Sequence, residues 1–130
     1  MKKLTLRDAS GFSLIELLVV AAILGILAAI AIPQFEAYRK KGYEATLQSD
    51  LANAATAQES YFAETQTYKT GPLSSGTPPG YNQSVGITSI TSVAGLNSFR
   101  LSATHVHCSG ITWTYDNTVT TGIPTGPPCP

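Results

Sequence analysis

The sequence predicts an α+β fold in which one long N-terminal helix, apolar in its first half and amphipathic in its second, packs on a small antiparallel β-sheet head. Three observations carry this prediction. Residues 12–35 are nearly unbroken apolar sequence, and residues 43–62 set apolar side chains at steps of three and four. Beyond a break rich in Gly, Pro and Ser, short runs of β-branched and aromatic residues succeed one another at strand length. A chain of 130 residues suits one domain of this kind.

The first element is defined by length. At 1.5 Å per residue, a helix from Phe12 to Phe35 reaches about 36 Å, enough to cross a bilayer core of about 30 Å. Glu16 is out of place there, because a carboxylate near the membrane centre costs about 2.5–3.5 kcal/mol unless it is paired. A cut between Gly11 and Phe12 frees an α-amino group four residues from Glu16, which can pair with it on the same helix or across to a neighbouring subunit. The competing account is a Glu that protonates or snorkels at the interface. Ala21, Gly25 and Ala29 recur every four residues as a small-residue stripe along which helices approach closely, or they are ordinary constituents of an anchor. Gly25 and Pro33 bracket a weak point, since Gly costs about 1 kcal/mol of helix stability and Pro33 removes a backbone donor. The stretch between them is where the helix is expected to bend or melt.

The second half of the helix carries Tyr43, Leu47, Leu51, Ala54, Ala55, Gln58, Tyr61 and Phe62 on one face, with Glu44, Gln48, Asp50, Asn53 and Glu59 between them. The helix is expected to continue to about Ala63 or Glu64, with Gly42 as a point of irregularity. From Thr65 to Gln83 the sequence reads as a surface loop, for Gly71-Pro72, Gly76 and Thr77-Pro78-Pro79-Gly80 all stop helices and make turns. Asn82-Gln83-Ser84 has the form of a glycosylation sequon, a short and unspecific match. Strands are expected at Val85–Ile90, at Ser98–Val106 and at Ile111–Tyr115, where Ile111, Trp113 and Tyr115 share a face. An Asp116-Asn117 turn leads to a brief strand at Thr118–Thr120.

Composition excludes several functions. The formal net charge is zero, and Lys2, Lys3 and Arg7 precede the apolar stretch, so the remainder is slightly acidic. That balance argues against an electrostatic nucleic-acid binder and leaves only weak contact by an array of many copies. Neither a phosphate-binding Gly loop nor a triad spacing is present, and no enzymatic activity or cofactor is expected. His105, His107 and Cys108 are all ligand types, but no second His or Cys cluster completes a metal shell. Two solvated strand histidines are the expectation. An ordinary secretory signal remains a competitor, with Ala29-Ile30-Ala31 as its small-x-small site, although its apolar core is typically about 7–15 residues and Glu16 would then serve no purpose. Basic residues do not orient the segment, because Arg39, Lys40 and Lys41 lie soon after it.

The run Lys2-Lys3-Leu4-Thr5-Leu6-Arg7-Asp8-Ala9-Ser10-Gly11, followed by Phe12-Ser13-Leu14-Ile15-Glu16 and the apolar residues to Phe35, resembles the leader and first helix of a type IV pilin. The resemblance covers the first third of the chain closely and the rest only in plan. It implies a leader at 1–11 removed after Gly11 by a prepilin peptidase, N-methylation of Phe12, and pairing of Glu16 with a Phe12 amino group in a growing filament. It further implies a membrane and filament-core helix at 12–35, an amphipathic half at 36–64, and a connecting loop and sheet head at 65–130. The partners it implies are other copies in a helical filament, an inner-membrane assembly platform with its ATPases, and an outer-membrane secretin. Its location is the inner membrane before assembly and the bacterial surface afterwards, with adhesion, twitching motility and DNA uptake as family activities.

With the head exported, Cys108 and Cys129 suggest a disulfide closing a loop of about 20 residues, worth roughly 3 kcal/mol; two free thiols are the alternative. A pseudopilin of a type II secretion system begins with a similar leader and helix and is the alternative function. The cysteine pair and the lack of an Asp-rich C-terminal loop favour the pilin. The aromatics along the helix, among them Phe35, Tyr38 and Tyr61, also admit an electron path, although such spacing ordinarily serves packing.

Overall fold

In the computed structural model the described residues are 11–119 and 122–130, so the leader apart from Gly11, and Thr120 of the last expected strand, lie outside them. The element order is α1 (Leu14–Thr65), β1 (Gly71–Leu73), β2 (Ile87–Ala94), β3 (Phe99–His105) and β4 (Trp113–Asp116). This is the expected α+β architecture. The chain divides into two compact units, Met1–Glu36 and Ala37–Pro130.

In the first unit α1 starts at Leu14, two residues after Phe12, and every described side chain in it is solvent-exposed. Helical structure is continuous through Gly25 and Pro33, and the α1 assignment also runs unbroken past Gly42, where an irregularity was expected. Good helix formers on both sides hold the backbone through these positions.

In the second unit the helix buries Leu47, Asp50, Leu51, Ala54, Ala55, Ala57 and Gln58. The four strands form one antiparallel meander in the order β1-β2-β3-β4. Helix and sheet close over Leu47, Leu51, Ala54, Leu73, Tyr81, Ile90, Phe99, Leu101 and Ala103. Alternation decides which sheet residues enter that core: Phe99, Leu101, Ala103 and His105 are buried in β3, with Arg100, Ser102 and Thr104 between them.

Several local expectations are corrected. Gly71-Pro72-Leu73, read as loop, is the edge strand β1, because buried Leu73 pairs with Ile90 and an edge strand tolerates the missing Pro72 N–H. The second strand runs from Ile87 rather than Val85, since Gly86 has a φ of 95° and turns the chain before pairing begins. Ile111 lies before β4, not in it, and Thr118–Val119 form a turn. Thr125 instead takes the place beside β4 through a mutual pair of backbone hydrogen bonds with Thr114, 2.8 and 2.9 Å. His105 is buried rather than solvated and stacks at 4.8 Å on Tyr43, with exposed His107 on the same ring at 4.8 Å.

Two polar side chains on the buried helix face fasten the later loop and sheet to α1. The Asp50 carboxylate accepts from the Ser84 hydroxyl (2.5 Å), the Ser84 N–H (2.8 Å) and the Tyr81 hydroxyl (3.3 Å). Burial, reinforced by the adjacent Asp50 charge, raises the Tyr81 pKa, so this phenol remains a donor. Gln58 accepts from the Lys69 N–H at 2.9 Å and donates to the Lys69 carbonyl at 2.7 Å and the Ser92 hydroxyl at 2.9 Å. Each group satisfies polar partners that the core would otherwise strand.

Candidate assembly site on the N-terminal helix

The site residues singled out in the sequence fall into two sets, one in each unit. In the first, Ser13 occupies the N-cap position of α1 and Glu16 the third helical position. The Ser13 N–H donates to Glu16 Oε2 at 2.8 Å, while the Ser13 carbonyl accepts from the N–H groups of Glu16 (3.1 Å) and Leu17 (3.3 Å). This is the carboxylate half of a capping box, and a negative charge in the first turn also suits the positive end of the helix dipole. Sequence reasoning missed this cap, although its signal, Ser-x-x-Glu ahead of an apolar run, is present at residues 13–16. One hydrogen bond takes up only part of a carboxylate's accepting capacity, so Glu16 can accept further donors without losing its cap.

Phe12 is 77% exposed at the start of this helix, and with Ile15, Glu16, Val19 and Val20 it lines a shallow apolar depression. Ala21, Gly25 and Ala29 are exposed as well, and a Cβ placed on Gly25 would meet nothing within 4 Å. Close approach of another helix along this stripe is therefore sterically open. Around it Leu17, Leu18, Leu24, Leu27, Ile30 and Ile32 present their side chains outward, and the segment is long and apolar enough to cross a membrane.

In the second unit Cys108 and Cys129 form a disulfide, with their Cα atoms 4.9 Å apart, and both residues are buried. The bridge does not hold the tail alone. The Cys129 N–H donates to Glu44 of α1 at 2.8 Å, and the Trp113 indole N–H donates to the Pro127 carbonyl at 3.1 Å. Gly126 lies against the indole ring, where any Cβ would collide with it.

Besides the Tyr81 phenol, His105 and Asp116 in the head titrate away from their ordinary values. Burial, with help from neighbouring His107, lowers the His105 pKa from its ordinary value. The hydroxyl and N–H of Thr118, and then Arg100, hold Asp116 down at about 2. The Arg100 guanidinium contacts that carboxylate at 2.8 and 3.0 Å.

The family described as "Prokaryotic N-terminal methylation motif" matches residues 6–32, the stretch that contains the Gly11-Phe12 junction, Glu16 and the small-residue stripe. The chain is 35% identical over 99 residues to a fimbrial protein of Pseudomonas aeruginosa, covering 76% of this chain and 62% of that one. It is 47% identical over 58 residues to a type IV major pilin protein of Myxococcus xanthus, covering 45% and 26% respectively. To the type IV wide pilus major component of Thermus thermophilus it is 43% identical over 63 residues, 48% of each chain. The chain thus spans less than two thirds of the length of each of these relatives. The methylation motif, the exposed apolar helix and the helix-on-meander head with its disulfide agree with one another and with the likeness to these relatives: together they support a type IV pilin.

Proposed function

We propose that the chain is the structural subunit of a type IV pilus, polymerising through its N-terminal helix into a surface filament. The observation that carries this reading is a carboxylate, Glu16, at the start of a helix whose large apolar side chains from Leu14 to Ile32 are solvent-exposed among the described residues. A prepilin peptidase cuts after Gly11, and methylation follows on the new Phe12 amino group. That amino group then pairs with Glu16 of a neighbouring copy, in addition to the hydrogen bond Glu16 already accepts from Ser13. Apolar helices leave the bilayer and bury one another along the Ala21, Gly25 and Ala29 stripe, an exchange of lipid contact for close helix packing. An inner-membrane platform with its ATPases drives extraction, and an outer-membrane secretin passes the fibre to the cell surface.

Gly25 and Pro33 mark where helical structure is lost on leaving the membrane, because Pro33 has no N–H to offer the Ala29 carbonyl. Adhesion, twitching motility and DNA uptake are the activities such a fibre serves, the last through weak contacts multiplied over many copies.

The deciding experiment is mass spectrometry of fibres sheared from the cell surface, with and without reduction. The expected species is abundant, begins at methylated Phe12 and carries the Cys108–Cys129 bridge. An uncut chain, or one cut elsewhere, overturns the reading. Glu16→Val is expected to abolish fibres while leaving processed subunit in the membrane, whereas wild-type fibre yield from Glu16→Val removes the pairing role.

A further inference from the structure

The head sheet has two edges, and they are protected in different ways. β1 is three residues long and contains Pro72, which has no N–H to offer a further strand. β4 has no such defence of its own. The run Ile111-Thr112-Trp113-Thr114-Tyr115 is β-branched and aromatic throughout, uncharged and free of Pro, the composition of a segment that pairs readily as a strand. Within β4, Thr114 stands opposite Ser102 of β3, yet it turns both of its backbone polar groups to the outer side. Its N–H donates to the Thr125 carbonyl at 2.8 Å, and its carbonyl accepts from the Thr125 N–H at 2.9 Å.

The segment that supplies Thr125 is the Pro-rich tail, and ties that follow directly after Thr125 hold it in place. Gly126 lies against the Trp113 ring, the Trp113 indole N–H donates to the Pro127 carbonyl at 3.1 Å, and Cys129 is bonded to Cys108 while its N–H donates to Glu44. Lifting this segment takes two hydrogen bonds from Thr114 and the covering backbone from Trp113 together. What is uncovered is an edge whose outward groups want another strand.

We propose that the β4 edge is a self-pairing surface for a second copy of this chain, and that the C-terminal tail is the cover that keeps it closed. The existing contact is the template. Thr125 meets Thr114 through a reciprocal pair of backbone hydrogen bonds, and Thr114 of a second copy, presenting the same two outward groups, replaces Thr125 like for like. Antiparallel pairing centred on Thr114 sets Trp113 opposite Tyr115 of the other copy and Thr112 opposite Asp116, so aromatic rings meet and like charges do not. Asp116 also keeps its own Arg100 partner. Such a contact is isologous and closes as a symmetric dimer. It uses the head alone and goes beyond the pilus-subunit reading, whose contacts run along the N-terminal helix.

The test places one reporter cysteine at the centre of the proposed pairing. Across a hydrogen-bonded antiparallel pair the Cα atoms lie about 5.5 Å apart, within disulfide reach, so Thr114→Cys links two copies on mild oxidation when residue 114 faces residue 114. The substitution is made in the full chain, in detergent, in three backgrounds. One is the closed wild type, one is the bridge-free Cys108→Ala, Cys129→Ala chain, and the third is Gly126→Val, which keeps the bridge but drives the tail off the indole ring. Leu96→Cys, at an exposed position of the β2–β3 turn, is the control in each.

The expected result on a non-reducing gel is a shift from monomer to covalent dimer for Thr114→Cys in either opened background, against monomer from the closed chain and from Leu96→Cys throughout. Mass spectrometry then locates the link at residue 114 and finds the native bridge retained in Gly126→Val. Monomer from Thr114→Cys in both opened backgrounds overturns the proposal. Equal dimer yields from the closed chain overturn it as well, since the edge is then never covered, and so do equal yields from Leu96→Cys, the mark of an unfolded head. None of these outcomes touches the pilus-subunit reading, which the sheared fibres decide.

Discussion

Between Leu14 and Glu36 the side chains of α1 face solvent, whereas between Leu47 and Gln58 the same helix buries seven residues beneath a sheet. The apolar half has the larger and greasier side chains and yet has no core; the head half makes a core with small ones, Ala54, Ala55 and Ala57, which let the sheet approach closely. Apolar content therefore does not say whether a helix's partner lies in its own chain. What distinguishes the halves is the polar residue each carries. Asp50 and Gln58 have partners supplied by later parts of the same chain, while among the described residues Glu16 is met by the N–H of its own helix cap. A buried polar group with its partners marks a finished surface, and an apolar stripe with one under-used carboxylate marks an unfinished one.

The largest expected effect contrasts Leu51→Ala with Leu24→Ala. Leu51 is fully buried, so its truncation is expected to remove about 4 kcal/mol from head stability, read by denaturant unfolding of the full chain in detergent with Trp113 fluorescence as signal. Leu24→Ala, at an exposed position, is expected to leave that transition in place and to lower fibre yield instead. A shift of the head transition by Leu24→Ala breaks the comparison. Next in size, reduction of Cys108–Cys129 is expected to cost about 3 kcal/mol and to open the tail to proteolysis after Gly122. Protease resistance surviving reduction assigns the tail to Glu44 and Trp113 rather than to the bridge. Asp50→Asn is expected to cost roughly 2 kcal/mol in the same unfolding assay, since the amide keeps one acceptor and turns donors toward donors.

The smallest effect is a pH dependence. Folded His105 holds its proton less tightly than the unfolded chain does, so its contribution is complete above about 6.5 and declines as pH falls below that value. Asp116 acts in a separate window: its contribution is present above about 3.8 and is lost as pH falls through about 2. His105→Phe is expected to flatten the upper window and leave the lower one alone. An unchanged slope between about pH 5 and pH 7, the range around the ordinary histidine pKa, removes His105 as its source.

The helix, the three strands β2, β3 and β4 and the cysteine pair were legible because periodicity and residue type encode them directly. The edge strand β1 was not, since three residues containing Gly and Pro carry no alternation, and only pairing with Thr91 and Ile90 makes them a strand. Asp50 was legible in principle. It sits three residues from Leu47 and four from Ala54 on the buried stripe, and an acid there demands partners; which ones, Tyr81 and Ser84, depends on a loop that periodicity cannot place. His105 was read as solvated because a strand has two faces and the sequence did not reveal that Tyr43 covers this one.

The closure of the tail has a mechanical side. Glu44 holds the Cys129 N–H, Cys129 is bonded to Cys108, and Cys108 lies just past the end of β3. A pull delivered through α1 therefore reaches the last residues of the chain and the middle of the sheet together, loading the head in shear across several strands rather than peeling one strand from a free end. In a fibre under tension, such a head would stretch as a unit, and its first failure would be the single hydrogen bond at Glu44.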